Sequence, residues 1–284
     1  MSLSPTISLR HGVSPSGGVE MPQLGLGTAR AGDEEVRRNV LQALDVGYRL
    51  IDTAARYDNE VGVGRGIADS GLPREDIFVT TKLRGAEQGS ATAKQALDAS
   101  LRRLGLDYVD LFLIHWPLPG LDKYVESWHA MEELLGEGKA RAIGVSNFLP
   151  VHLDRLAAES GTVPAVNQIE LHPRLPQADQ RGDHARRGIV TQAWAPLAMA
   201  GEVFGEPALR ETADKHGRTP AQVVLRWHVQ QGLSAVPKSS HADRLRENLD
   251  LFDFELDAED MTRIAGLDTG QRLADQDPAT YEEY

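Results

Sequence analysis

The sequence predicts a (β/α)₈ TIM barrel whose bottom is closed by a short N-terminal β-hairpin. Short apolar runs of strand length alternate with amphipathic stretches of helical period, the pattern of βαβ units around a parallel sheet. The strand-like runs number eight, which suits a closed barrel at this chain length. No low-complexity linker divides the 284 residues, so they are read as a single domain, with the hairpin at about 7–22 and a C-terminal tail at about 268–284. A doubly wound open sheet is the alternative use of the same units.

The strand candidates are LGLGT (24–28), YRLID (48–52), IFVTTKL (77–83), VDLFLIH (109–115), ARAIGVS (140–146), AVNQIE (165–170), IVTQAWA (189–195) and LSAVPKS (233–239). Helical stretches fill the gaps. In DEEVRRNVLQALDVG, Val36, Val40, Leu41 and Leu44 fall on one face, Asp33 is placed to cap the start, and Gly47 lies past the end. ATAKQALDASLRRLG repeats the plan with Ala93, Leu97, Leu101 and Leu104 before Gly105. TPAQVVLRWHVQQG opens on Thr219 as cap with Pro220 in the first turn. The opening ISLRHG…GGVEMPQ reads as the closing hairpin.

Composition removes several function classes. With 41% hydrophobic and 25% charged residues the chain is expected to be soluble and globular. A net charge of −12 argues against a surface that grips nucleic acid phosphates. Cysteine is absent, which excludes disulfides, iron–sulfur clusters, thiolate catalysis and Cys-based zinc sites. The first residues, MSLSPTISLRHGVSPSGG, hold no apolar core of signal-peptide length, and no run approaches the ~18 apolar residues of a membrane span. A cytoplasmic protein that engages no membrane is expected.

In a barrel of this kind, chemistry gathers at the C-terminal ends of the strands, where the βα loops surround one mouth. There the sequence places Asp52, Lys82, His115, Ser146, Asn147, Gln168, Trp194 and Lys238. Side chains alternate faces along a strand. Asp52 therefore shares a face with Tyr48 and Leu50, Lys82 with Phe78 and Thr80, and His115 with Leu111 and Leu113. Each residue has an ordinary reading alone: a turn-forming Asp, a solvated Lys, a loop His. Three consecutive apolar strands each ending on an ionisable residue point instead to one shared site.

The stretch RLIDTAARYDNE adds Tyr57 five residues after Asp52. A free phenol has a pKa near ~10, and a neighbouring ammonium favours its ionised form. A carboxylate keeps that ammonium charged and in place. A neutral His can donate to an oxygen gaining negative charge. The set delivers a proton to an oxygen and contains no evident nucleophile, which is what hydride reduction of a carbonyl requires.

Other chemistries fit less well. A dinucleotide fingerprint would need three glycines after a strand, and GVGRGI (62–67) has Ile67 in the third place, so these glycines are read as close-packing sites. GVSNF has Phe148 where a serine hydrolase motif needs glycine, and no H-E-x-x-H occurs among nine histidines, so no metal is expected. A phosphate-binding barrel isomerase stays physically open but has no use for a Tyr–Lys pair.

With those motifs in view, the chain resembles the aldo-keto reductases nearly end to end, and is similar to prokaryotic members of the 2,5-diketo-D-gluconate reductase type. DTAARYDNE, TTKL and LFLIHWP resemble the segments that carry the family's catalytic residues; GVSNF, NQIELHP and VPKSSHADRLRENLDLFDFEL resemble its cofactor-binding segments. The resemblance implies reduction of an aldehyde or ketone with NADPH/NADP. It makes Tyr57 the general acid, gives Lys82 and Asp52 the tuning role, and has His115 orient the carbonyl. Ser146, Asn147 and Gln168 would hold the nicotinamide carboxamide, with Trp194 stacked on the ring and Leu197 beside it. Lys238, Ser239 and Arg244 would grip the 2′-phosphate, with Glu247 and Asn248 near the adenine. Trp116, Arg30, the PLPGLDKY loop and the tail DPATYEEY would shape the pocket of a small-molecule carbonyl substrate. A monomer is implied. The other role open to such a fold is an NADPH-binding redox-sensing or structural protein with little turnover.

Two positions depart from the family pattern. Asp58 stands where relatives usually have glycine, and Asp tolerates left-handed backbone angles better than most residues, so the turn is expected to survive. Ala29 and Arg30 stand where many relatives place a pocket-lining aromatic, which touches substrate preference more than chemistry.

Overall fold

The computed structural model describes residues 4–10, 18–273 and 276–283. Its first elements are the antiparallel strands β1 (Thr6–Leu9) and β2 (Val19–Pro22), the two arms of the expected hairpin. Residues 11–17 between them, and 274, 275 and 284 of the tail, lie outside the described residues.

The parallel strands then follow one another in chain order around one sheet. They are β3 (Leu26–Gly27), β4 (Leu50–Asp52), β5 (Phe78–Leu83), β6 (Val109–Ile114), β7 (Ala140–Ser146), β8 (Val166–Glu170), β9 (Val190–Trp194) and β10 (Ser234–Ala235). Between the last and the first, Ala235 N–H donates to Gln23 O at 2.8 Å and Gly25 N–H to Ala235 O at 2.9 Å. The sheet thus closes on itself and leaves no edge, which decides against the open doubly wound sheet.

Helices alternate with the strands: α1 (Asp33–Val46), α2 (Glu60–Asp69), α3 (Ser90–Leu104), α4 (Tyr124–Gly136), α5 (Pro150–Glu159) and α6 (Ala178–Arg187). After β9 come α7 (Pro207–His216) and α8 (Pro220–Gln230), and after β10 come α9 (Ala242–Leu249) and α10 (Ala258–Ala265). Among the described residues no helix is long and apolar enough to cross a membrane.

The apolar core has two layers. Inside the barrel, Leu50, Phe78, Leu111, Leu113 and Val166 pack on Leu9, Val19 and Met21 of the hairpin, which fill the floor. Each such side chain is worth roughly 1.5–3 kcal/mol of burial. A larger layer joins the outer faces of the strands to the helices. Tyr48 belongs to that outer layer, not to the inner face with Leu50 and Asp52: it precedes β4, and its hydroxyl donates to Leu245 O at 3.2 Å.

The helix ends show where local rules hold and where a distant partner overrides them. Thr219 caps α8 as expected, its Oγ1 accepting from Gln222 N–H at 3.3 Å. Asp33 does not cap α1; Gly32 takes that place, and Asp33 Oδ1 accepts from Gly62 N–H at 2.9 Å on α2. On α2, a Cβ on Gly62 would lie 2.2 Å from Asp33 O and one on Gly64 would lie 2.1 Å from Leu104 O. Those glycines let three helices meet, as the close-packing reading anticipated.

Left-handed backbone is divided between the two ends of the barrel. Among the described residues all nine non-glycine cases, including Arg30, Asp58, Asn147 and Ala195, lie on connections from a strand to the next helix. Nearly all left-handed glycines instead follow a helix. Strain borne by residues with side chains is therefore concentrated at the mouth, where side chains do chemistry.

Candidate active site

At the mouth, β4 delivers Asp52, and the chain turns through Ala55–Tyr57 in one 3₁₀ turn. Asp58 ends that turn at φ 53°, ψ 33°, the left-handed geometry expected of it. Asn59 pins the loop, donating through Nδ2 to Thr28 O at 2.8 Å and Ala31 O at 2.9 Å. This brings the Tyr57 hydroxyl back over the end of β5.

Lys82 lies on β5 with no exposed surface. A buried ammonium is tolerable only when its donors are all used, and here they are. Lys82 Nζ donates to Asp52 Oδ2 at 2.7 Å, Thr53 O at 2.9 Å and Tyr57 Oη at 3.4 Å. His115 follows β6, its ring edge-on to Tyr57 with centroids 5.8 Å apart. The four side chains singled out from strand ends and one loop therefore meet at one place.

The electrostatics correct one expectation. Burial pushes the Tyr57 phenol above its ordinary value; Lys82 pulls it back without prevailing, and Asp52 and Glu283 add to the rise. The expected net lowering is not found. The hydroxyl stays protonated near neutrality and has a proton to give. For Lys82, burial works against the charge, but Asp52 and Tyr57 together outweigh it and hold the amine above its ordinary value, so it stays cationic.

A cavity of about 510 Å³ opens beside this group. Ser146, Asn147, Gln168, Trp194 and Leu197 line it together with Tyr57 and His115. Asn147 is locked in place, donating to His115 O at 3.0 Å and accepting from Trp194 Nε1 at 2.8 Å. Gln168 Nε2 is shared between Asp52 Oδ1 at 2.8 Å and Gln192 Oε1 at 2.6 Å. That leaves Gln168 Oε1 as an acceptor without a partner among the described residues.

Further out, Lys238 is exposed and donates to Arg30 O at 2.9 Å, while Ser239 is buried before α9. Arg244, on the first turn of α9, is exposed and has no hydrogen bond or ion pair among the described residues. Asn248 is buried, and the Glu247 carboxylate accepts from Thr219 Oγ1 at 2.6 Å, so it is held against α8. Arg30 lines the cavity but reaches Met199 Sδ at 3.7 Å, on the Lys238 side, whereas Trp116 packs against Tyr281 at a 47° tilt with centroids 4.3 Å apart.

The family model for the aldo/keto reductase family matches residues 23–269. The chain belongs to that family. It is 50% identical over 279 residues to an aldo-keto reductase of Mycolicibacterium smegmatis, covering 98% of both chains. It is 48% identical over 254 residues to methylglyoxal reductase DkgA of Escherichia coli, covering 89% of this chain and 92% of that one. Among solved structures, a mutant of Gox0644 in complex with NADPH superposes with a TM-score of 0.91 at 43% identity, covering 99% of this chain and 100% of that one.

Two residues of the reductase site escaped the sequence reading. Gln192 on β9 takes the hydrogen bond from Gln168 and passes one on from Nε2 to Ser234 Oγ at 3.0 Å. Its parity with Trp194, facing the barrel interior, was the available signal. Glu283 lies in the tail already assigned to the pocket, and its Oε1 is 2.7 Å from His115 Nδ1. No local pattern marks that pairing.

Proposed function

We propose that this reductase converts an aldehyde or ketone to an alcohol with NADPH as hydride donor and Tyr57 as proton donor. The observation that carries the reading is Lys82 Nζ, held between Asp52 and the Tyr57 hydroxyl at the edge of one cavity. When bound, NADPH supplies a hydride to the carbonyl carbon. Every other task falls to the protein.

The donor set suits that cofactor. Gln168 Oε1 offers an acceptor for a carboxamide N–H, and the partly exposed Trp194 ring offers a flat apolar platform. Exposed Lys238 and Arg244 supply charge for a 2′-phosphate. As the carbonyl oxygen gains charge, Tyr57 gives it a proton, Lys82 steadies the phenolate left behind, and His115 donates a hydrogen bond to the same oxygen.

The relative named methylglyoxal reductase and the NADPH complex of Gox0644 support a small carbonyl compound and NADPH here as well. The net charge of −12 supports a protein that binds no nucleic acid. We also read the chain as one barrel domain, acting as a cytoplasmic monomer.

The test follows NADPH absorbance with a panel of aldehydes and ketones. Consumption with formation of the matching alcohol is expected. Tight NADPH binding without consumption across the panel would instead support a nucleotide-binding protein without turnover.

A further inference from the structure

The C-terminal tail docks into the mouth of the barrel through a buried carboxylate. The Glu283 side chain is only 3% exposed. Its Oε2 accepts from Gly85 N–H at 2.5 Å, and its Oε1 lies 2.7 Å from His115 Nδ1. A Cβ on Gly85 would lie 2.5 Å from Leu118 Cδ1 and 2.9 Å from Glu283 Oε2, so a larger residue there would push the ends of both side chains aside. Nearby, the Tyr281 ring rests on Trp116 and Tyr281 N–H donates to Asp277 O at 2.7 Å.

Burial alone would raise the Glu283 carboxyl, yet His115, the Gly85 N–H and the charge of Arg56 together hold it below the usual range. The group facing the imidazole is therefore an anion. A neutral imidazole carries one N–H, and a carboxylate 2.7 Å from Nδ1, although off the line of a hydrogen bond, favours that hydrogen there by charge. Donation from Nε2 to a second acceptor then takes a second proton, whose charge the same carboxylate balances.

We propose that Glu283 is a positioning residue for His115: its carboxylate holds the ring by Nδ1 and turns Nε2 toward the carbonyl oxygen of the substrate. This rests on the carbonyl-reduction reading above. The tail then does more than wall the pocket, since it sets which face of the imidazole the substrate meets.

The experiment uses full-length wild type, Glu283→Gln and Glu283→Ala. Long-range ¹H–¹⁵N correlation of the His115 ring is measured beside kcat, KM and NADPH affinity, with and without added formate. A wild-type Nδ1 that carries a proton is expected, and loss of that signature in Glu283→Ala. In both variants kcat/KM is expected to fall on the order of 10- to 100-fold, the usual scale of a misplaced catalytic group, with NADPH affinity within about twofold. Formate, filling the space left in Glu283→Ala, is expected to restore both the ring signature and part of kcat/KM.

A bare Nδ1 in the wild type would overturn the proposal, as would equal kcat/KM in all three proteins. So would a loss shared by NADPH affinity and not recovered with formate, which marks a tail that only supports the fold. If the wild type consumed no NADPH, the reduction reading would fall, and the ring spectra would still decide the relation between Glu283 and His115.

Discussion

Gln168 Nε2 donates to Asp52 Oδ1 at 2.8 Å, so a residue lining the cavity also braces the carboxylate that holds Lys82. Replacing it with Leu would leave a buried carboxylate oxygen and Gln192 Oε1 unpaired. Gln168→Leu is expected to weaken NADPH binding and to lower kcat more than 10-fold, with a stability loss of roughly 1–3 kcal/mol. Fluorescence titration, single-turnover kinetics and urea unfolding separate the three effects. Weaker NADPH binding with unchanged kcat would leave Gln168 as a cofactor contact alone.

Arg244 stands exposed and without a partner among the described residues, near exposed Lys238. Arg244→Ala is expected to raise the Kd for NADPH on the order of 10-fold or more, as loss of a charge-assisted phosphate contact does, and to leave NADH nearly unchanged. Equal losses for the two nucleotides would place the 2′-phosphate elsewhere.

Asp58 holds φ 53° directly after Tyr57, in the region where β-branched residues pay most. Asp58→Gly is expected to be within ~0.5 kcal/mol of wild type in chemical unfolding, and Asp58→Val to lose about 1–2 kcal/mol or more. The Val variant should also lose kcat, because the same turn sets the phenol. Wild-type stability and turnover in Asp58→Val would remove the turn from the account.

His184 is fully buried between Asn167 Nδ2, 2.9 Å from its Nε2, and Thr191 Oγ1, 2.8 Å from its Nδ1, a pair of partners that suits a neutral ring. Burial pushes it from an ordinary 6.5 down to about 4. The unfolded chain therefore binds the extra proton between those values, so this contribution is complete above pH 6.5 and drains away as pH falls toward 4. The gap corresponds to roughly 3 kcal/mol. Urea unfolding across that range should show the decline, and His184→Gln should reduce its slope without abolishing it, because burial also pushes His228 down to about 4. A variant with the wild-type pH slope would assign the decline to other groups.

Much of this architecture was legible because it is local. Alternation along β4, β5 and β6 aims Asp52, Lys82 and His115 at the mouth, and the glycines of α2 announce close helix contacts. What stayed hidden depends on contacts far apart in the chain. Asp33 has the chemistry of a cap, but Gly62 on the next helix claims its carboxylate. The phenol of Tyr57 rises in pKa because folding buries it, an effect that no spacing of residues reveals. Glu283 meets His115 across most of the sequence, through a tail with no period to read.

The most direct test of the central claim is transient kinetics of Tyr57→Phe with NADPH and a reactive aldehyde. The phenyl ring keeps the packing and removes only the hydroxyl beside Lys82. NADPH affinity should stay near wild type, while the reduction step slows by ~10²–10⁴, the usual contribution of a placed proton donor. A reduction step at the wild-type rate in Tyr57→Phe would contradict the account.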